Sequence, residues 1–472
     1  MIDPVILILL GIALVVGCII FLKMHPVLAL LLATIVVGVL TGEENLKYYA
    51  RFAGMTTAES ASFLEQSVGK RAAVAFGNTA SKIGLLIAMA SVIGTSLLRS
   101  GGADRVVRSA LALLGEKRAP AAFLTSGFVL GIPVFFDTVF YLLIPLTKAM
   151  TLRTGKNYLF YLVTVIAGAA MAHSLVPPTP GPLFVATEMG VDIGVMILGG
   201  LVVGMVTITF GYLYAAWANR KWTIPPRDSG NITRAELQSL MEKDSASLPP
   251  LWLALLPIVL PILLISGNTI TRVTIENPDT VWMAGLSSIG DSNMALTISA
   301  FISLGILAWS VRDREKIKTY MADAMQSAGL IILITSMGGA FGSVLQQTGI
   351  GARIQDLATD YQLAILPLAF FVTVLMRTAQ GSSTVAMITS VGIIGGIANM
   401  GDLPFHPVYL ALAIGCGSKP FPWMNDSGFW IACKMAGMTE GETLKTFTAV
   451  LGIMGFSGLF VIIVLAKLFP FI

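Results

Sequence analysis

Apolar residues run through this chain in long unbroken blocks, the clearest at 2–22, 26–40, 251–265, 294–309 and 447–468. Blocks of that kind leave no polar face for a surface helix. They predict helices surrounded by lipid or by other apolar helices. Polar residues collect in short stretches between the blocks, with one exception near the midpoint. The stretch "NRKWTIPPRDSGNITRAELQSLMEKDSASLPP" occupies 219–250 and reads as a linker between a first half, 1–218, and a second, 251–472. Inside it Thr233 and Glu236 have the spacing of a capping box, which predicts a short surface helix.

Composition sharpens this into a class. Of 472 residues, 55% are hydrophobic and only 12% charged, with a mean hydropathy of +0.82. Soluble domains carry about 25% charged residues. The expected fold class is an all-α polytopic membrane protein. The N-terminus, Met-Ile-Asp, has no basic residues ahead of the first block, so that block is expected to be a retained span and not a cleaved leader. The net charge of +4 is spread over loops and implies no nucleic-acid partner. Cys18, Cys416 and Cys433 lie far apart, and no HExxH, CxxC or nucleophile-elbow motif occurs. No metal, no cofactor and no enzymatic activity are expected.

The halves resemble each other. "GTSLLRSGGADR" (94–105) aligns without gaps to "GSVLQQTGIGAR" (342–353), "DTV" (137–139) falls against "STV" (383–385), and "MGVDIG" (189–194) against "AGMTEG" (436–441). Matches that keep one order point to a duplication. Lys and Arg placement then sets the orientation. The linker holds Arg220, Lys221, Arg227, Arg234 and Lys243, and is expected to be cytoplasmic. Counting spans outward from it puts the N- and C-termini outside and makes the two repeats opposite in topology, a pattern of secondary transporters.

The same count leaves two segments that cannot cross. Segment 119–147 has basic residues at both ends, so it must enter and leave on one side as a re-entrant hairpin with its tip near "GIPVFFD" (131–137). About thirteen residues at about 1.5 Å each descend about 20 Å, to the middle of a core about 30 Å thick. Segment 361–400, with "RTAQGSST" (377–384) at its tip, is the expected counterpart from the other side. A span broken halfway follows each hairpin. The first is 157–190, interrupted at "HSLVPPTPGP" (173–182), and the second is 406–436, interrupted at "SKPFPWMNDSG" (418–428). Unpaired backbone at that depth is tolerated only where protein or a polar cavity covers it. The expected architecture is therefore about ten full spans, two re-entrant hairpins and two broken helices, with the four irregular tips meeting at a binding site.

At these tips the sequence resembles the gluconate permease family of proton-coupled organic-acid symporters. "GIPVFFD", "PPTPGP" (177–182), "RTAQGSSTVAM" (377–387) and "NDSGFW" (425–430) carry the resemblance, which runs along nearly the whole chain. It implies inward symport of a small hydroxy monocarboxylate with H+, in the inner membrane, by a protein that is often a homodimer in the bilayer. The stretch "GSKPFPWM" (417–424), richer in proline and aromatic residues than the family's pattern, is a departure beside the expected ligand site.

Residue chemistry gives the tips separate roles. Asp137, beside Thr138, is either a helix cap or a protonatable carboxylate. Asp426 poses the same choice, with Asn425 and Ser427 as extra polar contacts, and His173 could relay a proton. Arg377 is costly to hold in an apolar arm. It is expected to contact a substrate carboxylate or, paired with Asp137 or Asp426, to set the charge of the site. Gly381, Ser382, Ser383 and Thr384 open a helix whose free N–H groups and hydroxyls suit an anion or a hydroxylated ligand. That tip could instead hold Na+, and D-serine or another small organic acid could replace a gluconate-like substrate. His25 and His406 fall in expected loops, and Glu188 and Asp192 are expected to be solvated near the outer surface. A channel and an intramembrane aspartyl hydrolase built on Asp137 and Asp426 are the rival functions.

Overall fold

The apolar blocks become helices throughout. The computed structural model describes residues 3–227, 248–274, 285, 287–349, 364–398, 403–424 and 426–471, and among them there is no strand. Most of the linker, with the capping box expected at Thr233, lies outside the described residues.

In the first half α1 (Pro4–Ile20) pairs with α2 (Pro26–Leu40), and the chain then bends by 98° into α3 (Glu43–Phe52). The Nδ1 of His25 accepts the Val27 N–H and Pro26 takes the first helical position, so this histidine is a helix cap. After α4 (Thr57–Leu64), the long α5 (Val68–Arg99) and α6 (Gly102–Leu114) lead to a helical pair, α7 (Ala119–Gly131) and α8 (Phe136–Thr154). Two collinear pieces follow, α9 (Tyr158–Leu175) and α10 (Pro180–Glu188), and α11 (Ile193–Lys221) closes the half.

The second half runs through α12 (Leu251–Thr274), α13 (Ser292–Val311) and the long α14 (Arg314–Gln346). The pair α15 (Ile365–Gln380) and α16 (Ser383–Ala398) comes next, then α17 (Val408–Gly417), α18 (Ser427–Ala436), the short α19 (Glu440–Thr443) and α20 (Ala449–Leu468).

Seven of the described helices are long and apolar enough to cross a membrane, or eight if the bent pair at 26–51 is one span. The expected ten also included α1, with 17 residues, and the two 10-residue pieces α17 and α18, which are too short as single helices. The centre of the bundle is α9–α10. Its apolar window is 94% buried, against 39% to 61% in the other six, so it faces other helices on all sides.

Packing is reciprocal between the halves. Helix α5 crosses α14, α7 lies on α9 as α15 lies on α17, and α10 packs on α16 as α18 packs on α8. Aligned residues also do the same local work. Gly101 and Gly349 are both left-handed, at φ 81° and 84°, and so are Gly190 and Gly437, at 65° and 71°. Asp192 caps α11 and its counterpart Thr439 caps α19.

Close crossings rest on glycine. A Cβ on Gly342 of α14 would lie 2.7 Å from the Cα of Gly392 in α16, where only backbone could give way. We predict that Gly342→Ala destabilises the protein by about 1–3 kcal/mol through overpacking. Gly452→Ala, whose Cβ meets nothing within 4 Å, should be neutral or slightly stabilising because it removes a helical glycine. Thermal denaturation of the detergent-purified variants measures both. Equal midpoints would contradict the close-crossing account.

Candidate functional site

The tip between α7 and α8 follows from its sequence. Pro133 has no N–H to continue α7, and Phe135, with extended backbone at φ −62° and ψ 143°, precedes the first turn of α8. Asp137 therefore stands inside that first turn and not at the cap position. Its expected alternative role as an N-cap is corrected here, because the turn after Pro133 places Phe135 there. The Asp137 side chain is partly exposed to a cavity, together with that of Thr138, and no described hydrogen bond or ion pair engages the carboxylate.

The tip between α15 and α16 is built differently. Gly381, at φ 76°, ends α15 with its N–H bonded to the Arg377 carbonyl, and the Ser382 hydroxyl accepts the Val385 N–H at 3.4 Å. Arg377 points back across this turn. One of its terminal nitrogens donates to the Gly381 carbonyl and the other donates to a carboxylate oxygen of Asp426. Both side chains of that ion pair are only 5% exposed. The second oxygen of Asp426 accepts the Phe429 N–H at 3.0 Å and so caps α18. Asp426 is thus both a cap and the partner of Arg377. No described hydrogen bond occupies the hydroxyls of Ser383 and Thr384, which are partly exposed at the start of α16.

The two broken spans bring their interruptions to the same place. Between α9 and α10, Thr179 donates its hydroxyl to the Val176 carbonyl at 2.7 Å and Pro180 opens α10. His173, in the last turn of α9, lies edge-on to Phe135 at 5.9 Å, and its buried Nδ1 has no hydrogen-bond partner. Between α17 and α18, the Trp423 indole N–H donates to the Thr378 carbonyl at 2.9 Å, tying this break to the end of α15.

Both tips and both breaks open on one cavity of about 470 Å³. Asp137, Thr138 and His173 line it from the first half. Arg377, Gly381, Ser382, Ser383 and Thr384 line it from the second tip, and Asp426 and Ser427 from the second break. Asn425 lies outside the described residues. The volume of the cavity falls within the usual range of small-molecule sites, about 300–1,000 Å³. The polar groups converge from four elements, with apolar walls between them.

Three polar lining residues carried no expected role. Ser327 and Thr335 project from α14, and Lys419 from the break after α17. The two hydroxyls are eight positions apart on one helix, a spacing that puts them on the same face. Lys419 had a sequence signal too, since a cation inside a proline-rich break at membrane depth has no loop to escape into. The two carboxylates expected near the outer surface differ. Asp192 accepts the N–H groups of Gly194 and Val195 at 2.8 and 3.1 Å and the Thr269 hydroxyl at 2.7 Å. Glu188 lies 3.7 Å from Lys82 with one-fifth of its side chain exposed. Asp192 caps its helix and is exposed, as expected, whereas Glu188 is partly buried against Lys82. His406, like His25, offers its Nδ1 to a backbone N–H, that of Val408 at 3.1 Å.

The family description "GntP family permease" matches residues 3–469. The chain belongs to the GntP permease family. An uncharacterized permease of Haemophilus influenzae is 32% identical over 88% of this chain and 86% of its own length. A gluconate permease of Pseudomonas aeruginosa is 30% identical over 94% and 93%, and the Gnt-II system L-idonate transporter of Escherichia coli is 28% identical over 97% and 99%. Among solved structures the YdaH transporter of Alcanivorax borkumensis superposes with a TM-score of 0.59 at 13% identity, covering 84% of this chain and 88% of that one. MtrF of Neisseria gonorrhoeae gives 0.56 at 16%, over 84% and 83%. These two likenesses concern the fold. This GntP permease is a multi-pass membrane transporter, and its helices line an open, largely apolar cavity of small-molecule size on which the polar groups converge.

The hydroxyls of the second tip give a direct test of that cavity. We predict that Ser383→Ala and Thr384→Ala each weaken binding of a transported acid by about 0.5–1.5 kcal/mol, the net worth of one hydrogen bond. Calorimetry or thermal-shift titration of the purified variants reads this. Unchanged affinity in both would remove the tip from the site.

Proposed function

We propose that this permease is a proton-coupled symporter that carries a small hydroxy monocarboxylate of the gluconate type into the cell. The observation that carries the proposal is the division of labour between two carboxylates on one cavity. Asp426 is committed to Arg377 and to the start of α18, whereas Asp137 faces the cavity with no hydrogen bond or ion pair among the described residues, within electrostatic reach of Arg377. A carboxylate left open at such a depth is costly when ionised and cheap when protonated. It can therefore carry the coupled proton. Ser383, Thr384 and the N-terminus of α16 take the polar groups of the substrate, while Arg377 holds the tip and fixes the local charge. His173, buried beside Phe135, stands where a proton could pass to the same cavity.

The reading extends to the architecture. The halves are inverted repeats, their helical pairs at 119–147 and 361–400 re-entrant, and α1, α2 and α17–α18 complete ten spans. The reciprocal packing and the shared turns and caps at aligned positions support this. In that arrangement the linker is cytoplasmic and both termini face outward, in an inner-membrane protein that works as a homodimer.

Reconstituted vesicles test the function. With acid outside and a neutral lumen, radiolabelled gluconate, or another small hydroxy acid, is expected to accumulate above its external concentration. A protonophore should collapse that accumulation. Downhill entry that ignores the protonophore would favour a passive pore and reject the proposal.

A further inference from the structure

We infer that Lys419 is the residue that pairs with the carboxylate of the transported acid, and that it sets the site for singly charged substrates. The inference rests on the symport reading above and adds to it the anchor for the substrate carboxylate and the reason a second charge is excluded. It starts from the charges on the cavity wall. Among the described residues these are Asp137, Asp426, Arg377 and Lys419, with His173 as a further titratable group. Arg377 and Asp426 neutralise each other in a buried pair, and the guanidinium is also tied to the Gly381 carbonyl. Its geometry is occupied.

Lys419 differs in each respect. It sits in the break after α17, where Ser418 folds its hydroxyl back onto the Gly415 carbonyl at 2.7 Å and Pro420 stops the helix from resuming. The residue is 3% exposed, so its ammonium cannot snorkel to either surface. Its ammonium has no hydrogen bond or salt bridge among the described residues, and the residue lines the cavity. A buried, strongly hydrated cation without a counter-ion needs an anion or loses its charge. The cavity is the open direction left to it, and a substrate carboxylate is the anion that enters there.

Charge counting then selects the substrate. His173 is counted neutral near pH 7.5, which is about one unit above the unperturbed pKa of a histidine. The empty site carries an ionised Asp137 and a cationic Lys419, which sum to zero. With a proton on Asp137 and one carboxylate on Lys419 the sum is again zero. Both forms that cross the membrane are compensated, so transport of one acid with one proton moves no net charge. A dicarboxylate would leave one negative charge unpaired at low dielectric, and an uncharged analogue would leave Lys419 unpaired. Either misfit opposes loading.

Three probes of one shape test this on the purified full-length permease: gluconate, the neutral gluconamide and the dianionic glucarate. The wild type is expected to bind gluconate about 10- to 100-fold more tightly than either, the range for a charge-assisted hydrogen bond. Lys419→Gln should lose that preference and bind gluconate and gluconamide alike, and Lys419→Arg should recover most of it. A merely structural lysine would change stability without changing the acid-to-amide ratio. Should Lys419→Gln not fold, amine labelling of the wild type followed by mass spectrometry replaces it. Saturating gluconate is then expected to protect Lys419, and gluconamide is not. An unchanged ratio in Lys419→Gln, or labelling of Lys419 indifferent to gluconate, overturns the anchor alone. If no small hydroxy acid binds the wild type, the symport reading fails and this inference falls with it.

Discussion

Vesicles containing Asp137→Asn are expected to exchange substrate across the membrane at close to the wild-type rate, yet to lose accumulation driven by a pH gradient. The amide mimics a protonated carboxyl in shape and charge, so the loaded site can form and cross. What it lacks is a proton to release on the inner side. In the wild type an ionised Asp137 beside an incoming anion costs both desolvation and repulsion, and protonation removes both. Substrate and proton are therefore expected to bind with positive coupling. In the amide variant substrate affinity should become nearly independent of pH between about 5 and 8, whereas wild-type affinity should rise toward acid. Counterflow and acid-driven uptake, assayed in the same vesicle preparation, separate the two properties. Acid-driven accumulation at the wild-type level would leave Asp137 without a coupling role.

The largest structural effect is expected from Arg377. Replacing it with methionine leaves Asp426 as a buried charge whose remaining described partner is the Phe429 N–H. Breaking one side of a buried pair typically costs about 3–5 kcal/mol, most of it for the uncompensated partner. Arg377→Met should accordingly express poorly or melt far below the wild type. The double variant Arg377→Met with Asp426→Asn removes both charges and should regain much of that stability. It should not regain transport, because the turn at Gly381 loses the guanidinium that spans it. Thermal denaturation of the two variants, followed by uptake in vesicles, separates folding from function. Recovery of both stability and transport in the double variant would show that the pair is dispensable to the site.

Much of this was legible in the sequence because polar groups at membrane depth are expensive. A serine-rich turn beside an arginine, or an aspartate within an apolar run, advertises a site simply by surviving there. What the sequence could not give was the pairing. Asp137 and Asp426 have equivalent claims as caps, and only the turn after Pro133 shows that Asp137 stands within α8 while Asp426 caps α18. Arg377 could have reached either carboxylate. Span counting was ambiguous for a related reason, since half-helices of nine or ten residues lack the length that marks a crossing. Ser327 and Thr335 were hidden because a hydroxyl can satisfy itself on its own helix and so looks like filler. Lys419 was visible as a charge, but its lack of a partner is a fact about three dimensions.

The central claim is that one proton enters with each substrate molecule through this cavity, and the flux of both together tests it most directly. Vesicles with equal pH inside and outside, a pH-sensitive dye in the lumen and an inward gradient of the transported acid should show lumenal acidification that keeps pace with labelled substrate. Asp137→Asn vesicles should admit substrate under the same gradient without that acidification. Substrate entry into wild-type vesicles at constant lumenal pH would contradict the account.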